Sequence, residues 1–174
     1  MNTALEPIYA ILSTTPERWQ RLVGTLPYEV LDRPPAEGEW SALNCLRHLL
    51  VAERELYPPR IHNFLAGQNF LDFDPNRRYP EIDSLTPEQL VAEFTRTRQE
   101  SLALFRQVKD EDLGRILQHP KLGTVTLVQM LHTYAAHDLN HTIQGERALI
   151  QHFMLGSGPW RTFFRDHEVG VAKG

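Results

Sequence analysis

The chain has one cysteine, Cys45, among 174 residues, so no internal disulfide can form and packing or a bound ligand must hold the fold. This fits a reducing compartment, and a cytoplasmic location is expected. No run of about 18 apolar residues occurs, so a membrane span is not expected. The opening MNTALEPIYA lacks the basic start, apolar run and small-residue cleavage site of an export signal. Positive charge is not in excess: 18 Lys and Arg face 22 Asp and Glu, a net charge of -4, and the basic residues are scattered. Binding nucleic-acid phosphates needs a concentrated positive footprint, so nucleic acid is not an expected partner. Long alternations of apolar and polar residues are missing too, and β-branched stretches are short, as in Gly123-Thr124-Val125-Thr126.

What is present is helical patterning across one expected domain, residues 1–174. A first helix is predicted over much of Thr3 to Leu26, with Leu5, Ile8, Ile11, Leu12, Trp19, Leu22 and Val23 as its stripe. Pro16 should kink or restart it, because proline removes one hydrogen bond and crowds the preceding turn. Ser41 can cap a second helix that runs at least to Leu56, before Pro58-Pro59 threatens its regularity. Gly67 to Thr86 has no clear period and contains Asp74-Pro75-Asn76 and Tyr79-Pro80, so it reads as a long crossover connection. Thr86-Pro87-Glu88 caps and starts a third helix that should end near Val108. Thr126-Leu127-Val128-Gln129 is a capping-box pattern opening a fourth, which reaches about Phe153 and tolerates Gly145 inside. Trp160, Phe163 and Phe164 then suggest a short fifth helix covering one end of the bundle.

On the fourth helix His137 and His141 are four residues apart, so both side chains lie on one face and can converge on one ion. With eight histidines in the chain, about 0.4 such pairs arise by chance, so the spacing alone proves little. Register carries more weight. Leu127, Met130, Tyr134, His137, His141, Gln144 and Ala148 recur at intervals of three and four, which turns both histidines toward the core. His48 behaves alike in the second helix, on the side of Cys45, Leu49, Ala52 and Leu56. Three imidazoles facing one interior must be hydrogen-bonded separately or share a ligand, and a metal ion would satisfy them together.

Three stretches now resemble the DinB-like superfamily, also called the DinB/YfiT group. They are Trp40-Ser41 ahead of Leu46-Arg47-His48-Leu49, the segment from Pro120 to Thr126, and Ala136-His137-Asp138-Leu139-Asn140-His141-Thr142-Ile143-Gln144. The resemblance covers most of the chain. It implies an all-α four-helix bundle, up-up-down-down with a long crossover, a metal-binding triad at His48, His137 and His141, and a homodimer. Asn44 stands where many relatives carry an acidic or longer polar side chain.

Other residues are weaker candidates. Asp138 and Gln144 could orient ligands or contact substrate, although a residue next to a histidine points about 100° away from it. Glu53 and Glu55 read as ion-pair partners, and Cys45 as a small core filler. His62, His119, His132, His152 and His167 show no convergence and suit surface or capping roles.

Three imidazole donors leave a coordination position open, unlike the closed four-ligand sites of structural zinc. Zinc and nickel are the expected metals, with water or a thiolate on the metal as nucleophile. The resemblance adds a low-molecular-weight thiol as possible co-substrate. A metal-dependent S-transferase or small-molecule hydrolase is therefore the leading expectation. A non-catalytic metal- or small-molecule-binding stress protein and a structural dimerisation module are the alternatives.

Overall fold

Three of the four long helices begin on a side chain that satisfies a free backbone amide. In the computed structural model, which describes residues 5–70, 73–74 and 77–169, the Ser41 hydroxyl accepts from the Asn44 amide at 3.2 Å. Thr86 accepts from the Gln89 amide at 3.3 Å while the Gln89 side chain accepts from the Thr86 amide at 3.0 Å. Thr126 and Gln129 repeat that reciprocal pair at 3.3 and 2.9 Å.

The helices are α1 (Glu6–Thr25), α2 (Tyr28–Leu31), α3 (Ala42–Glu55), α4 (Tyr57–Ala66), α5 (Pro80–Asp83), α6 (Pro87–Phe105) and α7 (Leu127–Gly156). Four of them form the bundle: α1 and α3 each pack chiefly against α6 and α7. The fold is an all-α four-helix bundle. No described helix is long and apolar enough to cross a membrane.

Several boundaries differ from expectation for local reasons. The predicted start at Thr3 lies outside the described residues, as do Pro75 and Asn76. The second helix stops at Glu55, and α4 restarts at Tyr57 with Pro58 in its first turn, where a missing N–H costs nothing. The long connection carries α5. The third helix ends at Phe105, three residues before Val108. Ahead of α7 lies an antiparallel hairpin that was not foreseen, β1 (Ile116–His119) with β2 (Gly123–Thr126), pairing Leu117 with Val125. His119 Nδ1 accepts from the amides of Lys121 and Leu122, so it caps the hairpin turn, and Gly123 takes the left-handed φ of 72°. After α7 a 3-10 helix, Gly158–His167, leaves Trp160 and Phe163 in solvent, so these rings do not cover the end of the bundle.

Pro16 is the most informative departure. Helix α1 continues across it, and Pro16 is buried. Having no N–H, it leaves the carbonyl of Leu12 without its helical partner. Arg98 Nη1 donates to that carbonyl at 2.7 Å. The same guanidinium, 1% exposed, binds Asp138 through two bonds of 2.8 Å and Glu53 through Nε at 2.8 Å. Ser101 donates to the other oxygen of Glu53 at 2.6 Å, and the Tyr134 hydroxyl also donates to Glu53. Burial works against the charge of Arg98, but Tyr134, Asp138 and Glu53 raise its pKa well above the usual value. Along α6, Leu90, Val91 and Phe94 belong to one apolar cluster and Leu104 and Phe105 to another, with Arg98 and Ser101 between them in sequence.

Two outcomes follow for stability. Arg98→Met keeps volume but leaves two buried carboxylates without a counter-charge, and a loss of about 3–5 kcal/mol is expected in urea unfolding. Gly145→Ala would gain roughly 1 kcal/mol of helix propensity in isolation. Its new Cβ, however, would lie 2.6 Å from Trp19 Cη2, an atom of a fully buried ring. A net loss of about 1–3 kcal/mol is therefore expected, and a rise in the unfolding midpoint would contradict this packing.

Candidate metal centre

His48 comes from α3 and His137 and His141 from α7, two helices that pack directly together. Each ring offers a nitrogen, and the three nitrogens lie within 4.8 Å of one another. His48 Nε2 and His137 Nε2 are 3.0 Å apart. Two nitrogens at zinc distances from one ion are separated by about 3.0 Å at a right angle and about 3.3 Å at the tetrahedral angle, so the spacing suits a shared cation.

The surroundings are aromatic. Trp40, just before the cap of α3, stacks on His141 with centroids 5.7 Å apart and tilts against His48 at 5.0 Å. Tyr57 and His137 meet in a T-shaped arrangement with centroids 5.3 Å apart, and Tyr57 stacks on Tyr134 at 4.2 Å. Loss of water around the rings makes an imidazolium costly. Burial, reinforced by His141, lowers the pKa of His48 to about 4. Burial, then the neighbouring His141, His48 and Arg98, lowers that of His137 to about 3. His141 is lowered by burial, with Gln144 and Asp138 opposing. The shifts all favour the neutral ring, the form a cation requires.

Gln144 Oε1 lies 2.9 Å from His141 Nδ1, so the ring donates there and keeps its lone pair on Nε2. Gln144 thus touches a triad residue. Asp138 does not: it is 1% exposed, its carboxylate is taken up by Arg98, and it reaches His141 only through its field. His137 Nδ1 is buried without a hydrogen-bond partner among the described residues. Such an orphan is a cost that a shared ligand on the other nitrogen can offset.

No fourth carboxylate or thiol joins the group among the described residues. Glu53 is held by Arg98. Cys45 packs near Gly145 as a core filler, with burial pushing its thiol up to about 12. Asn44 is occupied as acceptor for Arg47 at 3.1 Å. His62, His132, His152 and His167 are exposed and apart from the triad.

A sequence profile described as the DinB superfamily matches residues 11–144, which include all three histidines. The chain belongs to the DinB superfamily. The chain is 24% identical over 143 residues to the uncharacterized protein YuaE of Bacillus subtilis (strain 168), spanning 74% of this chain and 88% of YuaE. Its fold resembles a solved structure of YfiT from Bacillus subtilis, with a TM-score of 0.73 over 85% of this chain and 87% of that one, at 19% identity. That protein is described as a probable metal-dependent hydrolase with an unusual four-helix bundle topology.

Sequence reasoning on this DinB-superfamily chain missed the aromatic wall and Arg98. A signal for Arg98 existed: Phe94, Arg98, Ser101 and Phe105 keep the three-and-four spacing of the buried face of α6. Tyr57 carried no comparable signal, because it lies past the break at Leu56.

The depressed imidazole pKa values give a pH dependence with a definite sign. Below about pH 6.5 the unfolded chain takes up protons at these histidines, while folded His48 and His137 resist down to about 4 and 3. Chelator-treated protein should therefore lose stability as pH falls from 6.5 toward 4. Urea midpoints at pH 7 and pH 5 measure this, and His137→Gln should shrink the difference.

Proposed function

We propose that this protein is a metal-dependent enzyme acting on a small molecule, with His48, His137 and His141 as the ligands of one divalent cation. The observation that carries the reading is the convergence of three imidazoles with no fourth histidine, carboxylate or thiol beside them among the described residues. A closed structural site normally uses four. Three donors leave room for water or substrate.

A divalent cation held there would supply Lewis acidity, polarising a carbonyl or favouring the deprotonated form of water or a thiol near neutral pH. The chain's own residues do the rest. Gln144 holds the proton of His141 at Nδ1 and so aims Nε2 at the site. Trp40 and Tyr57 pack against the imidazoles, and burial favours the neutral rings. Asp138, fixed by Arg98, acts on His141 through its field.

Hydrolysis of a small amide or ester, and transfer of a low-molecular-weight thiol, are the reactions this chemistry favours. The description of the YfiT neighbour supports the first. Zinc and nickel suit imidazole donors best. A cytoplasmic homodimer is part of the same reading.

Elemental analysis of purified protein is expected to give about one divalent metal per chain. His48→Ala and His141→Ala should each abolish stoichiometric metal, and with it any turnover in a screen of amides, esters and thiol acceptors, while the circular dichroism spectrum persists. Full metal content in both variants would remove the triad. Metal without turnover across the screen would leave a binding protein instead of an enzyme.

A further inference from the structure

Next to the triad lies a cavity of about 390 Å³, a size that suits a small ligand. His48 and Trp40 form part of its wall, and Arg47, Arg77 and Arg78 form another part. Among the described residues Asp83 is the carboxylate on the wall. Asp32 lies within ion-pair distance of Arg47, so the positive excess of the wall rests chiefly on Arg77 and Arg78.

Two of the three arginines are pre-positioned. Arg47, with its side chain 19% exposed, donates to Asn44 at 3.1 Å and lies 3.6 Å from Asp32. Its Nε is buried without a hydrogen-bond partner among the described residues. Arg77 lies over the ring of Tyr79, its guanidinium carbon 5.2 Å from the centroid, and Tyr79 also lines the cavity. A planar guanidinium held in this way loses little freedom when it binds an oxyanion through two parallel bonds.

The geometry points to an oxyanion subsite: Arg47, Arg77 and Arg78 bind a carboxylate or phosphate group of the substrate and thereby direct the rest of that molecule to the triad at His48. The orienting half of this inference rests on the reading of the triad as a metal centre. Anion binding by the arginines stands apart from it. Arg77 and Arg78 are exposed, so both can be substituted without touching the core.

The test is calorimetric titration with succinate and, separately, inorganic phosphate, on protein carrying its own metal and on chelator-treated protein. Binding of at least one anion is expected, weakened roughly tenfold or more in the Arg77→Ala/Arg78→Ala double variant. Metal content and the unfolding midpoint of that variant should match the parent. Preference for succinate would assign a carboxylate, and preference for phosphate a phosphoester. Equal affinity in parent and double variant, binding that depends on metal alone, or no binding of either anion in the millimolar range would each overturn the subsite. Arginine-dependent binding by a protein that holds no metal would sustain the subsite and remove the metal reading.

Discussion

One buried guanidinium joins all four bundle helices. Arg98 on α6 binds Glu53 of α3, Asp138 of α7 and the Leu12 carbonyl of α1. An arginine stripped of water is tolerable only when its donors are filled and its charge answered, and this network does both. It also explains a proline in the middle of a buried helix. Pro16 withholds the amide that would otherwise occupy the Leu12 carbonyl, and Arg98 takes the freed acceptor.

The histidine triad is built against this network. Asp138 lies between His137 and His141 in sequence, so the residue that clamps α7 to Arg98 also fixes the stretch of helix bearing both rings. Glu53 receives the Tyr134 hydroxyl, Tyr134 stacks on Tyr57, and Tyr57 meets His137 in a T-shaped contact. Position passes from an ion pair through two aromatic rings to an imidazole, all by direct contact. The low pKa of His137 has the same origin, since the packing that holds the ring also desolvates it.

The two sides of the site differ in character. Toward the core the triad meets apolar and aromatic surface, which keeps its nitrogens neutral. On the side of Trp40 it borders a cavity rich in arginine. Trp40 touches both His48 and His141, and its ring also forms part of the cavity wall. The imidazole cluster thus borders a wall that carries arginine side chains.

Much of this was legible in the residues themselves, because caps and helical stripes are local. Ser41, Thr86 and Thr126 mark their helix starts by chemistry acting over three residues, and the register of α7 turns His137 and His141 to one face by geometry alone. The meeting of His48 with that pair, 89 positions away from His137, depends on how α3 packs on α7, and no local rule supplies it. The partners of Arg98 come from three other helices, and the arginines of the cavity come from α3 and from the connection before α5. Local sequence decides which face a helix offers. Which faces then meet is settled only when the whole core closes, since burial energy belongs to the assembled contacts and not to any one segment.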